Sequence, residues 1–149
     1  MAGECGHAEG RNTIAEGARS HAEGSWTQAI GNRAHAEGEG SIANGDYSHT
    51  EGYEAKTDEN AIVAHAEGFK TRANAPYSHA EGANKKLEAD GSLSETTFKT
   101  TVDGEQKIIS GTEANGTASH AEGSQSATYG FASHAEGYRA LALGNYSHA

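Results

Sequence analysis

Polar and small residues alternate in short bursts along this chain, and large apolar residues almost never follow one another. Ser20-His21-Ala22-Glu23-Gly24 sets the pattern: as an extended strand, Ser20, Ala22 and Gly24 fall on one face and His21 and Glu23 on the other. This small-His-Ala-Glu-Gly unit carries every histidine of the sequence: His7, His21, His35, His49, His65, His79, His120, His134 and His148. Their successive intervals are 14, 14, 14, 16, 14, 41, 14 and 14. Two positions after each of the first eight stands a glutamate (Glu9, Glu23, Glu37, Glu51, Glu67, Glu81, Glu122, Glu136), followed at once by glycine. A second small run closes many units, as in 14–17, 29–31, 43–45 and 142–144, again ending in glycine. Two short strands and two corners in each repeat predict one coil of a narrow β-solenoid, with glycine supplying the positive φ of the corners.

The small face is expected inside. The residue before each histidine is Gly, Ser or Ala in all nine copies, and the residue after it is Ala except at Thr50. Two walls that close together admit only such side chains. Loop positions such as Arg11, Ser25, Glu39, Tyr53 and Phe69 vary freely, which a recently duplicated linker would not show.

Composition alone points the other way. Of 149 residues 27 are Ala, only 15 are Leu, Ile, Val or Phe, and the net charge is −10, the profile of a disordered chain. The repeat overturns that reading, because stacked copies bury one another. A thin Ala-lined core returns little apolar area against a backbone ordering cost of about 1–2 kcal/mol per residue. The roll is therefore expected to be an obligate oligomer. The acidic balance argues against nucleic acid as a partner, and no apolar run is long enough to insert in a membrane. The single cysteine, Cys5, excludes an intrachain disulfide. No secretory signal is visible at the start, and the last residues, Tyr146-Ser147-His148-Ala149, break off inside the motif, so further sequence or another subunit is expected to continue the stack.

Residues 83–113 interrupt the repeat. Asp103-Gly104 separates two β-rich runs and predicts a hairpin with a two-residue turn. The interruption carries scarce apolar bulk in Leu87, Leu93, Phe98, Val102, Ile108 and Ile109. The hairpin either locks neighbouring rolls together or protrudes to touch a receptor. The organisation read from the sequence is thus roll repeats over 1–82, an inserted hairpin over 83–113, and continued roll repeats over 114–149, all one solenoid domain. The two extra residues between His49 and His65 predict a longer loop within Tyr53–Ala64.

Equivalent residues of stacked coils lie about 4.8 Å apart. Eight glutamates at that spacing repel, so the neighbouring histidines are expected to compensate them by hydrogen bonding or by charge. Protonating all nine would nearly cancel the net charge. The His/Glu column is therefore the candidate repeat ladder and interface. His columns holding Zn or Ni are the metal-binding alternative, and solvent exposure of both columns is the third possibility. No cofactor is otherwise implied. No singular nucleophile or asymmetric acid–base pair stands out, which argues against an enzyme. Aromatic residues recur two before the histidine (Tyr47, Tyr77, Tyr146) and four after it (Tyr53, Phe69, Tyr138). Candidate receptor contacts are Phe98, Asp103, Gly104, Tyr53, Phe69 and Tyr138, with a glycan as one possible ligand; packing between coils or chains is the competing role of the aromatic positions.

The repeated Ser-His-Ala-Glu-Gly frame over residues 6–82 and 111–149 resembles the YadA-like head domains of trimeric autotransporter adhesins, and the SHAEG-repeat segments of bacteriophage tail fibre proteins. The resemblance implies an all-β, left-handed parallel β-roll of 14-residue coils, three chains packed as a homotrimer, and a place in an extracellular fibre on a virion tail or a bacterial cell surface. His and Glu stand where the adhesin pattern has apolar residues, so a polar interface between rolls is expected. The implied function is a rigid, adhesive segment of a phage tail fibre or similar appendage that gives host attachment, with a bacterial adhesin head as the alternative.

Overall fold

The computed structural model describes residues 3–84, 86–87, 90, 92–94 and 97–149, and for Lys86, Leu87, Leu93 and Phe98 it describes the backbone only. Each repeat makes one coil and contributes one strand to each of two eight-stranded parallel sheets. The histidine sheet begins with His7–Arg11, His21–Ser25 and His35–Ala36 and ends with His120–Ser124 and His134–Tyr138. The second sheet is made of two-residue strands, from Ile14–Ala15 to Leu141–Ala142. Register is strict: His7 pairs with His21, Ala8 with Ala22 and Glu9 with Glu23, and so along the stack. A single bridge joins His148 to His134. Among the described residues there is no helix, and none long and apolar enough to cross a membrane.

The interior is as thin as the sequence requires. Ala22, Ala36, Thr50, Ala66, Ala80, Ala121 and Ala135 form one fully buried column, and Ala15, Ala29, Ala43, Ala73 and Ala114 face them from the other wall. Serine before histidine has its own reason. The Ser20 hydroxyl donates to the Gly17 carbonyl at 2.7 Å, Ser48 to Gly45 at 2.6 Å and Ser133 to Gly130 at 2.7 Å, so each buried hydroxyl is satisfied across its own turn.

Two expectations need correction. Gly24 does not lie on the buried face; it is exposed, because the strand leaves strict alternation there with φ +106°. A Cβ built on Gly24 would sit 2.1 Å from the Gly38 carbonyl oxygen of the next coil, so the stack itself demands glycine. Nor do the second-run glycines provide the positive φ: Gly31 lacks it, and a Cβ there would strike the Gly45 oxygen at 2.1 Å. The left-handed corners are held mostly by residues with side chains. Arg33, Tyr47 and Tyr77 occupy them at φ 56–59°, and Trp26, Glu54, Lys70 and Arg139 at φ 52–61°. A ladder of corner bonds compels that conformation: the Tyr47 amide donates to the Asn32 carbonyl and the Lys70 amide to that of Tyr53, both at 2.8 Å.

The interruption is looped out of an unbroken stack. His79–Ala83 pairs in register with His120–Ser124, and Arg72 with Glu113. The roll runs through Asn84, whose amide donates to Phe69, and resumes at Thr112, whose carbonyl accepts from the Arg72 amide at 2.8 Å. The excursion is therefore shorter at both ends than the 83–113 segment read from the sequence. The reason is that Ala83 and Glu113 still have strand neighbours on the roll. Phe98–Val102 and Glu105–Ile109 form the expected hairpin, with Asp103 and Gly104 at φ 52° and 81°, the two positive values of a type I′ turn. A second antiparallel pair, Lys86–Leu87 with Leu93–Ser94, has no counterpart among the sequence expectations. The two extra residues before His65 widen the turn at Asp58–Asn60, closed by the Ala61 amide donating to the Asp58 carbonyl at 3.0 Å.

Candidate functional site

The in-register sheet stacks the imidazoles. From His21 to His134 successive ring centroids are 4.7–4.9 Å apart with planes within 2–11°. At the ends the order relaxes: His7 meets His21 edge-on and His148 is tilted by 50°. Each glutamate rises beside the column. Nε2 to carboxylate distances are 3.5 Å for His65–Glu67, 3.6 Å for His79–Glu81 and 3.5 Å for His120–Glu122; His49 reaches Glu37 of the previous coil at 3.4 Å. These contacts are too long or too oblique for hydrogen bonds. Nε2 of His21, His35, His49, His65, His79, His120 and His134 is shielded from solvent with no hydrogen-bond partner. About a third of the side chain nevertheless remains open at His49, His65, His79, His120 and His134.

Electrostatics follow from the stacking. Burial, and then the adjacent imidazoles, hold His35, His65 and His120 below the usual histidine pKa. The stack thus disfavours imidazolium charge at these positions, against the expectation that it compensates the glutamate column. Burial also raises Glu37, with the carboxylates of Glu51 and Glu23 adding to the effect.

Several groups of His-Glu-His, such as His49, Glu51 and His65, place their donor atoms within 4.8 Å of one another. A zinc-type ion wants imidazole nitrogens at about 2.0–2.1 Å. Parallel rings at 4.8 Å aim their nitrogens side by side, so one coil offers an ion one imidazole and one carboxylate unless the rings turn out of the stack.

The two edges of the roll carry the aromatics. Tyr47, Tyr77 and Tyr146 stand exposed on one edge at the left-handed corners, with Arg33 lying over the Tyr47 ring and donating to its hydroxyl at 2.6 Å. On the opposite edge Tyr53 stacks on Phe69 at 4.9 Å, and Lys70 lies over Phe69. Tyr138 is three coils beyond Phe69, beside Arg139, so the three aromatic positions do not form one patch. Asp103 and Gly104 are exposed at the hairpin tip. The Phe98 side chain lies outside the described residues.

Two clefts escaped sequence reasoning. One, of about 400 Å³, lies between roll and insertion and is lined by Lys56, Lys70, Arg72, Glu54, Asn84, Thr97 and Ser110. The other, of about 210 Å³, is formed by Trp26, Glu39, Gly40, Tyr53 and Glu54 from three coils. The signal for the second was present: Gly40 is glycine at a corner where other coils carry a side chain.

The family model described as the YadA head domain repeat matches this chain twice, over residues 29–48 and 130–147. Each match spans slightly more than one coil, and one lies on either side of the insertion. No curated protein matches the chain.

Proposed function

We propose, from a roll that carries the YadA head domain repeat on both sides of its insertion, that this chain is a rigid adhesive segment of a trimeric extracellular fibre. A phage tail fibre or similar appendage is its place, with host or surface attachment its task. The observation that carries the reading is the unbroken column from His21 to His134, with the insertion looped out at its side. A stack with every coil in register resists bending, as a spacer must. Trimer formation through the His/Glu face is supported by its unfinished chemistry. Seven shielded imidazole nitrogens lack partners and lie beside a row of carboxylates, and a second copy supplies polar groups to both. Molar mass by light scattering at neutral pH tests this. A value near three times that of the single chain is expected, and a stable monomer overturns the trimer.

The same pairing of imidazole and carboxylate supports a second reading, in which ions of the zinc or nickel class sit between chains, each chain giving one His and one Glu. Thermal melting with and without chelator decides it: an unchanged melting temperature removes the metal.

A further inference from the structure

The slot on the Tyr53 edge shares no lining residue with the His/Glu column. Its position follows from one glycine. Five positions after successive histidines stand Asn12, Trp26, Gly40, Glu54 and Lys70, all at left-handed corners, and every one but Gly40 projects a side chain from the edge. The missing side chain at Gly40 opens the cavity of about 210 Å³ between Trp26 in the coil before and Glu54 in the coil after. Two coil spacings separate these walls, on the order of 10 Å. Phe69 covers one face of the Tyr53 ring, which leaves the opposite face turned toward Glu39 and Gly40.

Two aromatic side chains and two carboxylates line the slot, surroundings that favour an organic cation: ring faces attract it, and carboxylates neutralise it. The molecule places a cation of its own against a ring and a carboxylate two coils further on. There the Lys70 ammonium lies 5.6 Å from the Phe69 centroid and 3.5 Å from Glu54. Where coil five supplies lysine, coil three supplies nothing. We propose that the Trp26–Gly40–Tyr53 slot binds an alkylammonium group, with Glu39 as its principal counter-ion. Glu54 is shared with Lys70 and contributes less. The cavity is too small for more than a headgroup or the end of a lysine side chain.

Trp26 is the chain's single tryptophan, so its fluorescence reports on the slot directly. The full chain is titrated with choline and, separately, with an Nα-acetylated lysine amide, against sodium chloride at equal ionic strength. A saturable change with either cation in the millimolar range supports the site, and the tighter of the two identifies the source as a quaternary headgroup or a lysine side chain. Glu39→Gln should weaken binding about tenfold. Gly40→Lys should abolish it by filling the slot from within. That variant keeps the fold, because Lys70 already occupies the equivalent corner and the new Cβ meets only the flexible Glu54 side chain, at 3.2 Å. No saturable change with either cation, an equal response to glucose, or unaltered binding in Gly40→Lys overturns the assignment.

Discussion

The imidazole of His79 lies on that of His120, across the whole insertion, with centroids 4.7 Å apart and planes within 2°. The contact is indistinguishable from that of His35 on His49, which belong to directly consecutive repeats, at 4.8 Å and 2°. The roll does not register the insertion, because its strands pair from coil to coil, His79–Ala83 with His120–Ser124 and Arg72 with Glu113.

Excising the insertion should therefore leave the roll intact. Removing residues 85–111 and joining Asn84 to Thr112 restores an interval of 14 between His79 and His120. The variant is expected to keep the β-sheet circular dichroism and a single cooperative melt. Loss of either shows that the insertion, which buries Ile109 and Val102, holds the joint together.

Glycine after glutamate is dictated by the neighbouring coil, so replacing it costs more than replacing a glycine that faces open space. Gly24→Ala drives a Cβ into the Gly38 carbonyl at φ +106°, and should cost about 3 kcal/mol or more. Gly104, at the hairpin turn, also has a positive φ, +81°, but nothing lies within 4 Å of the Cβ it would carry. Gly104→Ala should cost only the backbone strain, about 1–2 kcal/mol. Denaturant midpoints of the two variants measure the difference, and equal losses refute the stacking explanation.

Acid should weaken the column. The folded-state pKa values of His35, His65 and His120 lie below 6.5, so the unfolded chain binds protons first as pH falls. Their share of stability is complete above pH 6.5 and is lost as pH drops from there toward the folded values. Melting temperature should decline over that window, and His65→Gln should flatten the decline. A profile rising toward acid in this range contradicts the neutral stack.

Glu113 behaves oppositely. Burial raises its pKa above the usual carboxyl value, against hydrogen bonds from the Ser110 amide and the Asn115 side chain. The folded state thus disfavours its charge at neutral pH and recovers stability as pH falls through the raised pKa. Glu113→Gln should raise the melting temperature at pH 7, with the gain vanishing toward the carboxyl range. A loss at pH 7 shows that the charge is needed, with Arg72 the neighbouring cation that favours it.

Much of this molecule is determined by sequence alone. A period of 14 with alternation inside it specifies the coil, and coil-to-coil pairing then sets the register, because any slip would bring His21 or Glu23 into an interior lined mostly by Ala, Ser and Thr. Asp103-Gly104 dictates its turn for an equally local reason, the positive φ of both residues. What the sequence could not decide involves groups brought together only by stacking. The lowered pKa of His65 depends on its burial and then on His49 and His79 lying above and below it, and the need for glycine at position 24 depends on the Gly38 carbonyl. The slot depends on Trp26, Gly40 and Tyr53, which sit in three coils and meet only when those coils stack. Local chemistry specifies a coil; the field, the clash and the cavity belong to its neighbours, and they exist only once the chain has closed on itself.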